Sequence, residues 1–173
     1  RLQDNDDTCT TRESTMKIRM NGPKSPDTLY ENAPLHKAVS IITSKRLAAL
    51  PVINEQGVFV GIIGVNGLLE MLLPQAVRTA LAADDDNIPG LSFMDDNMAE
   101  LRNRLAHLSD KTVGSLARRD APVIYPDSPV MEAVLLLLRG EDDVAMVDRE
   151  THKFICMVSA LDLLHTLNEE VAK

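Results

Sequence analysis

The sequence is poor in aromatic residues, cysteine and positive charge, and each shortage closes off a class of function. Aromatics are 3% of the 173 residues, three Phe and two Tyr with no Trp. A chain that grips bases by stacking them on rings needs more than that, so the expected core is aliphatic and Met-rich. Lys plus Arg number 18 against 26 Asp plus Glu, a net charge of −8. The densest positive group, Lys111, Arg118 and Arg119, reads as a solvated turn, and a surface of this charge repels a phosphate backbone, so no nucleic acid is expected as a partner. Two cysteines, Cys9 in a polar stretch and Cys156 in an apolar run, make no disulfide framework and fit a cytoplasmic setting. The longest apolar stretch, 58–73, is interrupted by Asn66 and Glu70. It falls short of the roughly 18 apolar residues of a membrane span, so no direct membrane insertion is expected. No signal peptide is legible, and the start at Arg1 rather than Met fits a piece of a longer protein.

Catalytic signatures are missing as well. His36, His107, His152 and His165 have no zinc spacing, and there is no HExxH, CxxC, P-loop, dinucleotide fingerprint or nucleophile elbow, so neither an enzyme nor a metal site is expected. Asp85 to Gly90 with Asp96 partly imitates a calcium loop, but Pro89 stands at the fifth ligand position. The stretch reads instead as a solvated loop, with Asp95 or Asp96 capping the next helix.

The apolar pattern that is present repeats. Residues 1–15 are polar without periodicity and read as a flexible tail. Thr28-Leu29-Tyr30 reads as extended. Pro34 suits a first helical position ahead of Leu35, Ala38, Val39 and Ile42, and two strands around Asn54 to Gly57 form a hairpin. Asn66 is placed to cap a helix carrying Leu68, Leu69, Met71 and Leu72, ended by Pro74. The same order returns from Val123. Pro34 and Pro129, Ala38 and Ala133, and Leu69 and Leu164 are each 95 apart. Two copies of strand, helix, strand, strand, helix therefore fill 16–74 and 112–173, an α+β chain whose halves must pack face to face on one core. Between them, 75–111 reads as a helical insert: Gln75 to Ala83, a turn at Asp84 to Gly90, then a helix with Met94, Met98, Leu101, Leu105 and Leu108. This last apolar stripe suits core packing better than a seam to a partner.

Leu50-Pro51-Val52-Ile53-Asn54 with Val60-Gly61-Ile62-Ile63, then Tyr125-Pro126-Asp127-Ser128-Pro129, Glu132-Ala133, Met146-Val147-Asp148 and Val158-Ser159-Ala160-Leu161-Asp162-Leu163-Leu164, resemble a CBS-domain pair over roughly 28–167. The resemblance implies tandem CBS domains in a pseudo-twofold arrangement. It also implies a homodimer, a cytoplasmic regulatory role over an attached or partner protein, and clefts for AMP, ADP, ATP or S-adenosylmethionine as regulatory ligand, with no cofactor required.

In the family pattern a Ser or Thr ends a strand and caps a helix, and an Asp three residues on accepts the ribose hydroxyls. The second copy has both, Ser159 and Asp162, with Cys156 where glycine is usual; the first has Gly64 and Gly67 instead. By the same resemblance the adenine rests against Ala48, Ala49 and Leu50, opposite Asp162. One competent site per chain is expected. The alternative is that Ser159 and Asp162 only cap their helix, leaving a ligand-free dimerisation or gating module of a transporter or enzyme.

Overall fold

The computed structural model describes residues 8–9, 18–19, 27–83, 98–140 and 143–171. Two short strands, β1 (Thr8–Cys9) and β2 (Ile18–Arg19), pair antiparallel. The first repeat runs β3 (Leu29–Tyr30), α1 (Leu35–Lys45), β4 (Ala49–Ile53), β5 (Phe59–Gly64), α2 (Val65–Leu72). Two insert helices follow, α3 (Gln75–Ala82) and α4 (Met98–Leu108). The second repeat is α5 (Val113–Leu116), β6 (Val123–Ile124), α6 (Val130–Leu138), β7 (Asp143–Val147), β8 (Phe154–Ser159), α7 (Ala160–Val171).

Each repeat forms a three-stranded sheet, ordered β3-β4-β5 and β6-β7-β8. The first two strands of each are parallel and joined through a helix; the last two are an antiparallel hairpin. Both hairpins shift register at the same place, between Val52 and Ile53 in one and Met146 and Val147 in the other. The repeats meet at these hairpins. Phe59 N–H donates to His152 O and Phe154 N–H to Gly57 O, both at 3.0 Å, and the two Phe rings stack with centroids 6.3 Å apart. These reciprocal bonds mark a pseudo-twofold axis.

The strand alternation explains where the core sits. Leu50, Val52 and Ile63 face the first repeat's helices beside Leu35, Ala38 and Ile42. Val144, Met146 and Val158 do the same in the second repeat beside Ala133 and Leu163. The opposite faces carry small residues, Ala49, Ala121 and Ala145 with Ile62, which let the two halves approach. There are thus two helix-side cores and a thin shared one, where the sequence reading expected a single core. The expected methionine content is also corrected. Met146 is the one core methionine among the described residues, while Met98 and Met131 are 74% and 63% exposed.

Local differences from the sequence reading have simple causes. Pro34 and Pro129 sit at the N-cap in extended conformation, one residue ahead of their helices. Asn66 does not cap α2. The strand β5 runs straight into it, Gly64 is the N-cap without a side-chain bond, and Val65 N–H donates to Ala48 O at 2.9 Å. The proposed turn and calcium-like loop at 84–96, together with Met94 and the caps Asp95 and Asp96, lie outside the described residues. The turn of helix at α5 was not expected from the sequence. Its flanking residues tie the insert to the first repeat: Leu35 N–H and His36 N–H, two donors that a helix start leaves unpaired, bond to Lys111 O and Ser109 O.

Each repeat has two left-handed positions and uses glycine at only one. Gly57 (φ +78°) corresponds to His152 (φ +54°), and Gly140 (φ +97°) to Arg46 (φ +55°). A side chain in this region costs about 1–2 kcal/mol. His152→Gly should therefore raise stability by up to about 1 kcal/mol, while Gly57→Ala, with open space around it, lowers it by about as much. Urea unfolding midpoints of the two variants check this. Equal and opposite shifts to those stated would refute the backbone account.

Candidate functional site

Ser159 closes β8 and Asp162 lies in the first turn of α7. Asp162 Oδ2 accepts from Ser159 N–H at 3.0 Å and from Ser159 Oγ–H at 2.6 Å, and Asp162 N–H donates back to Ser159 Oγ at 3.1 Å. This reciprocal pair is a capping box in which Asp takes the role of the usual Glu, and it holds the half-buried carboxylate in one orientation at a helix N-terminus. Chemically, the pair offers a fixed acceptor for hydroxyl groups beside exposed helix N–H donors.

The corresponding end of the first repeat is open. Gly64 and Gly67 line a cleft of about 220 Å3 together with Ala49, Asn66 and Glu70. Arg118, Gly140 and Asp143 close it from the second-repeat side. Of the residues expected to hold an adenine, Ala49 lies in this cleft and pairs with Gly64, and Ala48 O is committed to Val65 N–H. Leu50 is 1% exposed and packs against the first repeat's helices, so it supports the wall without reaching a ligand. Asp143 was not singled out by the sequence, Glu70 was read only as a break in an apolar stretch, and Arg118, read as part of a solvated turn, lines this cleft. Asp143 takes Ala49's place in the second sheet, since it pairs with Ser159 as Ala49 pairs with Gly64. The separation there is 94 rather than 95 residues because the second hairpin is one residue longer, which hides the match from a constant offset.

Arg118 is placed by a short two-way bridge: its N–H donates to Ile62 O at 2.9 Å and its carbonyl accepts from Ile62 N–H at 3.1 Å. The linker thereby extends the first sheet beyond β5. No group of three or more metal-ligating side chains is found among the described residues, and no described helix is long and apolar enough to cross a membrane.

Near β6, Arg149 bonds Asp127 at 2.9 and 3.2 Å and lies 4.2 Å over the Tyr125 ring. The Arg149 hydrogen bond lowers the Asp127 pKa, and bonds from the Thr151 hydroxyl and N–H lower that of Asp148. A depressed carboxylate stabilises the fold above its unfolded pKa, and the gain is lost as pH falls through the lower folded value. The melting temperature should therefore hold from neutrality to about pH 4 and fall below it, and Asp148→Ala should flatten that acid limb. An acid limb unchanged in the variant would contradict the assignment.

The fold is a tandem α+β arrangement of two pseudosymmetric halves, each with a three-stranded sheet. The family model for the CBS domain matches residues 23–74 and 113–169, more than half of the chain, and the chain belongs to the CBS-domain family with two copies forming a CBS pair. No curated protein matches it. Among solved structures it is similar to the CBS-pair protein CBSX2 from Arabidopsis thaliana, with a TM-score of 0.60 and 17% identity over 85% of this chain and 89% of that one. It is also similar to CBSX2 in complex with AMP (TM-score 0.56, 19% identity, 83% and 87% covered). A CBS domain-containing protein of unknown function from Bacillus anthracis gives 0.58 at 15% identity, with 83% and 84% covered. At these identities the likeness establishes the fold. CBS pairs are generally regulatory modules, and this chain is one by family.

Proposed function

We propose that this CBS pair senses an adenosine-containing ligand, with AMP the first candidate, at the cleft of its second repeat and passes the bound state to an attached or partner protein in the cytoplasm. The Ser159–Asp162 pair carries this reading, because it supplies the oriented carboxylate that a ribose requires and that Gly64 and Gly67 cannot supply. Pseudo-twofold symmetry supports the wall opposite. If the second cleft follows the same pseudosymmetry, Ala49 as the counterpart of Asp143 would contribute to the wall opposite Asp162, and Arg46, counterpart of Gly140, would offer a cation for a phosphate. An AMP-bound neighbour of the same fold is consistent with this choice. Ligand binding between the halves would favour one arrangement of the helices over another, which is the population shift that a partner reads. ADP, ATP and S-adenosylmethionine are the competing ligands. The chain's charge of −8 disfavours polyphosphates without a cation.

A second reading rests on the same bonds. Ser159 and Asp162 satisfy each other, so they suffice as a helix cap in a ligand-free dimerisation or gating module. Calorimetric titration with AMP separates the two: saturable heat supports the sensor, and no heat at millimolar AMP supports the gating module. In both readings the working unit is a homodimer.

A further inference from the structure

The two repeats carry a tyrosine at the same place beside their hairpin turns and treat its ring differently. Leu29 of β3 pairs with Val52 and Tyr30 with Ile53; Ile124 of β6 pairs with Met146, which sets Tyr125 beside Val147 at the matching register. The turn residues Asn54 and Glu55 therefore correspond to Asp148 and Arg149. Both turns are built alike, since Asn54 Oδ1 accepts from Gln56 N–H at 3.0 Å and Asp148 Oδ1 from Glu150 N–H at 3.2 Å. In the second repeat the Arg149 guanidinium lies 4.2 Å over the Tyr125 ring and is neutralised by Asp127 at 2.9 and 3.2 Å. In the first repeat Glu55 stands in the place of Arg149 and Asn32 in that of Asp127. Tyr30 is 54% exposed there, and a surface pocket of about 250 Å3 is lined by Tyr30, Glu31, Asn32, Glu55 and Gln56. Arg119 reaches Glu31 only at 4.0 Å and donates to Gly114 O at 2.9 Å, and Glu55 makes no ion pair among the described residues.

We infer that this pocket is a docking point for an arginine side chain of a partner protein, its guanidinium entering over Tyr30 between Glu31 and Glu55 as Arg149 lies over Tyr125. Two carboxylates alone would make only an acidic surface. The ring beside them, and the filled copy of the same position in the second repeat, are what specify a guanidinium. The exchange of Arg149 for Glu55 puts an anion where the chain's own cation would otherwise lie, so the complementary charge comes from another molecule. A planar guanidinium stacks on a ring while its fork of donors reaches carboxylate and amide oxygens, here Glu31, Glu55, Asn32 and Gln56; an ammonium does only part of this. Free arginine brings a carboxylate that the two glutamates repel, whereas an arginine within a chain has neutral flanks. The net charge of −8 steers a basic segment toward the surface. The pocket shares no residue with the first cleft or with the Ser159–Asp162 pair, so the inference does not rest on the nucleotide reading.

Amide NMR spectra of the isotope-labelled whole chain, titrated with an acetylated and amidated glycine-arginine-glycine peptide, test this. Saturable shifts should appear at Tyr30, Glu31 and Gln56, with a Kd on the order of 1 mM for an exposed ring and surface carboxylates. The same peptide with citrulline, which keeps the shape and loses the charge, should shift none of them, and the lysine peptide and free arginine should each bind about three-fold or more weakly. Tyr30→Ala and Glu55→Gln should each weaken the arginine peptide about three-fold; should Tyr30→Ala fail to fold, Glu55→Gln decides. Glu55→Arg should abolish binding by laying the chain's own guanidinium over Tyr30. Conversely, Arg149→Ala, which uncovers Tyr125 and Asp127, should add a second set of shifts at Tyr125. Absent shifts, equal shifts with the citrulline peptide, unchanged affinity in Glu55→Arg, or no new shifts in Arg149→Ala would overturn the inference. A lysine peptide that binds as tightly would overturn the choice of arginine, and free arginine that binds as tightly would overturn the choice of a partner protein. A failed AMP titration leaves the pocket standing, and a pocket that takes no arginine leaves the nucleotide reading intact.

Discussion

Asp162→Ala should weaken AMP binding thirty-fold or more. The carboxylate is asked to accept two ribose hydroxyls, and a charge-assisted acceptor of that kind contributes ~2–3 kcal/mol, which converts to that factor in Kd. The same change removes half of a capping box and should lower stability by about 1 kcal/mol, so melting must be followed alongside binding. Asp162→Asn distinguishes the two roles. It keeps an oxygen for Ser159 but loses the charge, so stability recovers while affinity stays low. Gly67→Asp tests the converse in the first repeat, where a carboxylate at the equivalent N3 position has open space around it. Unchanged AMP affinity in Asp162→Ala, with the variant folded, would remove the residue from the site.

The second large effect is on stability. A Cβ on Gly61 would stand 2.5 Å from Arg118 O, 3.0 Å from Arg118 C and 3.3 Å from Ala117 Cβ. These are mostly backbone atoms held by the two-way bridge between Arg118 and Ile62, so they cannot rotate aside as a flexible side chain would. Gly61→Ala should cost about 2–3 kcal/mol, the upper range for overpacking, with a lower urea midpoint and an unchanged slope. Gly114 is as tightly placed, with its Cβ position 2.7 Å from Glu31 Cβ and 2.8 Å from Glu31 O. Gly67 is the control. Nothing lies within 4 Å of its Cβ position, and alanine there should stabilise α2 by about 0.5–1 kcal/mol. Equal midpoints for Gly61→Ala and Gly67→Ala would show that the linker does not pin the first sheet.

The repeat was legible in the sequence because its evidence is periodic: the apolar positions of α1 and α6, buried Ala38 and Ala133 among them, recur at one spacing. The Ser159–Asp162 contact was legible for a similar reason, since residues i and i+3 at a helix start are neighbours whatever the tertiary structure. Features that depend on how the halves meet were not. Leu50 was taken with Ala48 and Ala49 as one wall, yet strand alternation turns Leu50 to the helices and Ala49 to the cleft. Asp143 and Arg118 enter the first cleft only through strand register and a linker bridge, neither of which leaves a mark in hydrophobic pattern. Asn66 looked like a helix cap by type, and lost that role because the strand continues into α2 without an intervening loop. The aromatic shortage keeps its meaning for ligands, and the two phenylalanines that do pair are used to join the repeats.

The central claim is one adenosine-ligand site per chain, at the second repeat. The most direct measurement is a crystal structure grown with millimolar AMP. The account predicts nucleotide density with the ribose hydroxyls on Asp162, the phosphate toward the N-terminus of α7 and Arg46, and nothing bound between Gly64 and Gly67. AMP seated in the Gly64–Gly67 cleft, or density absent from both, would contradict it.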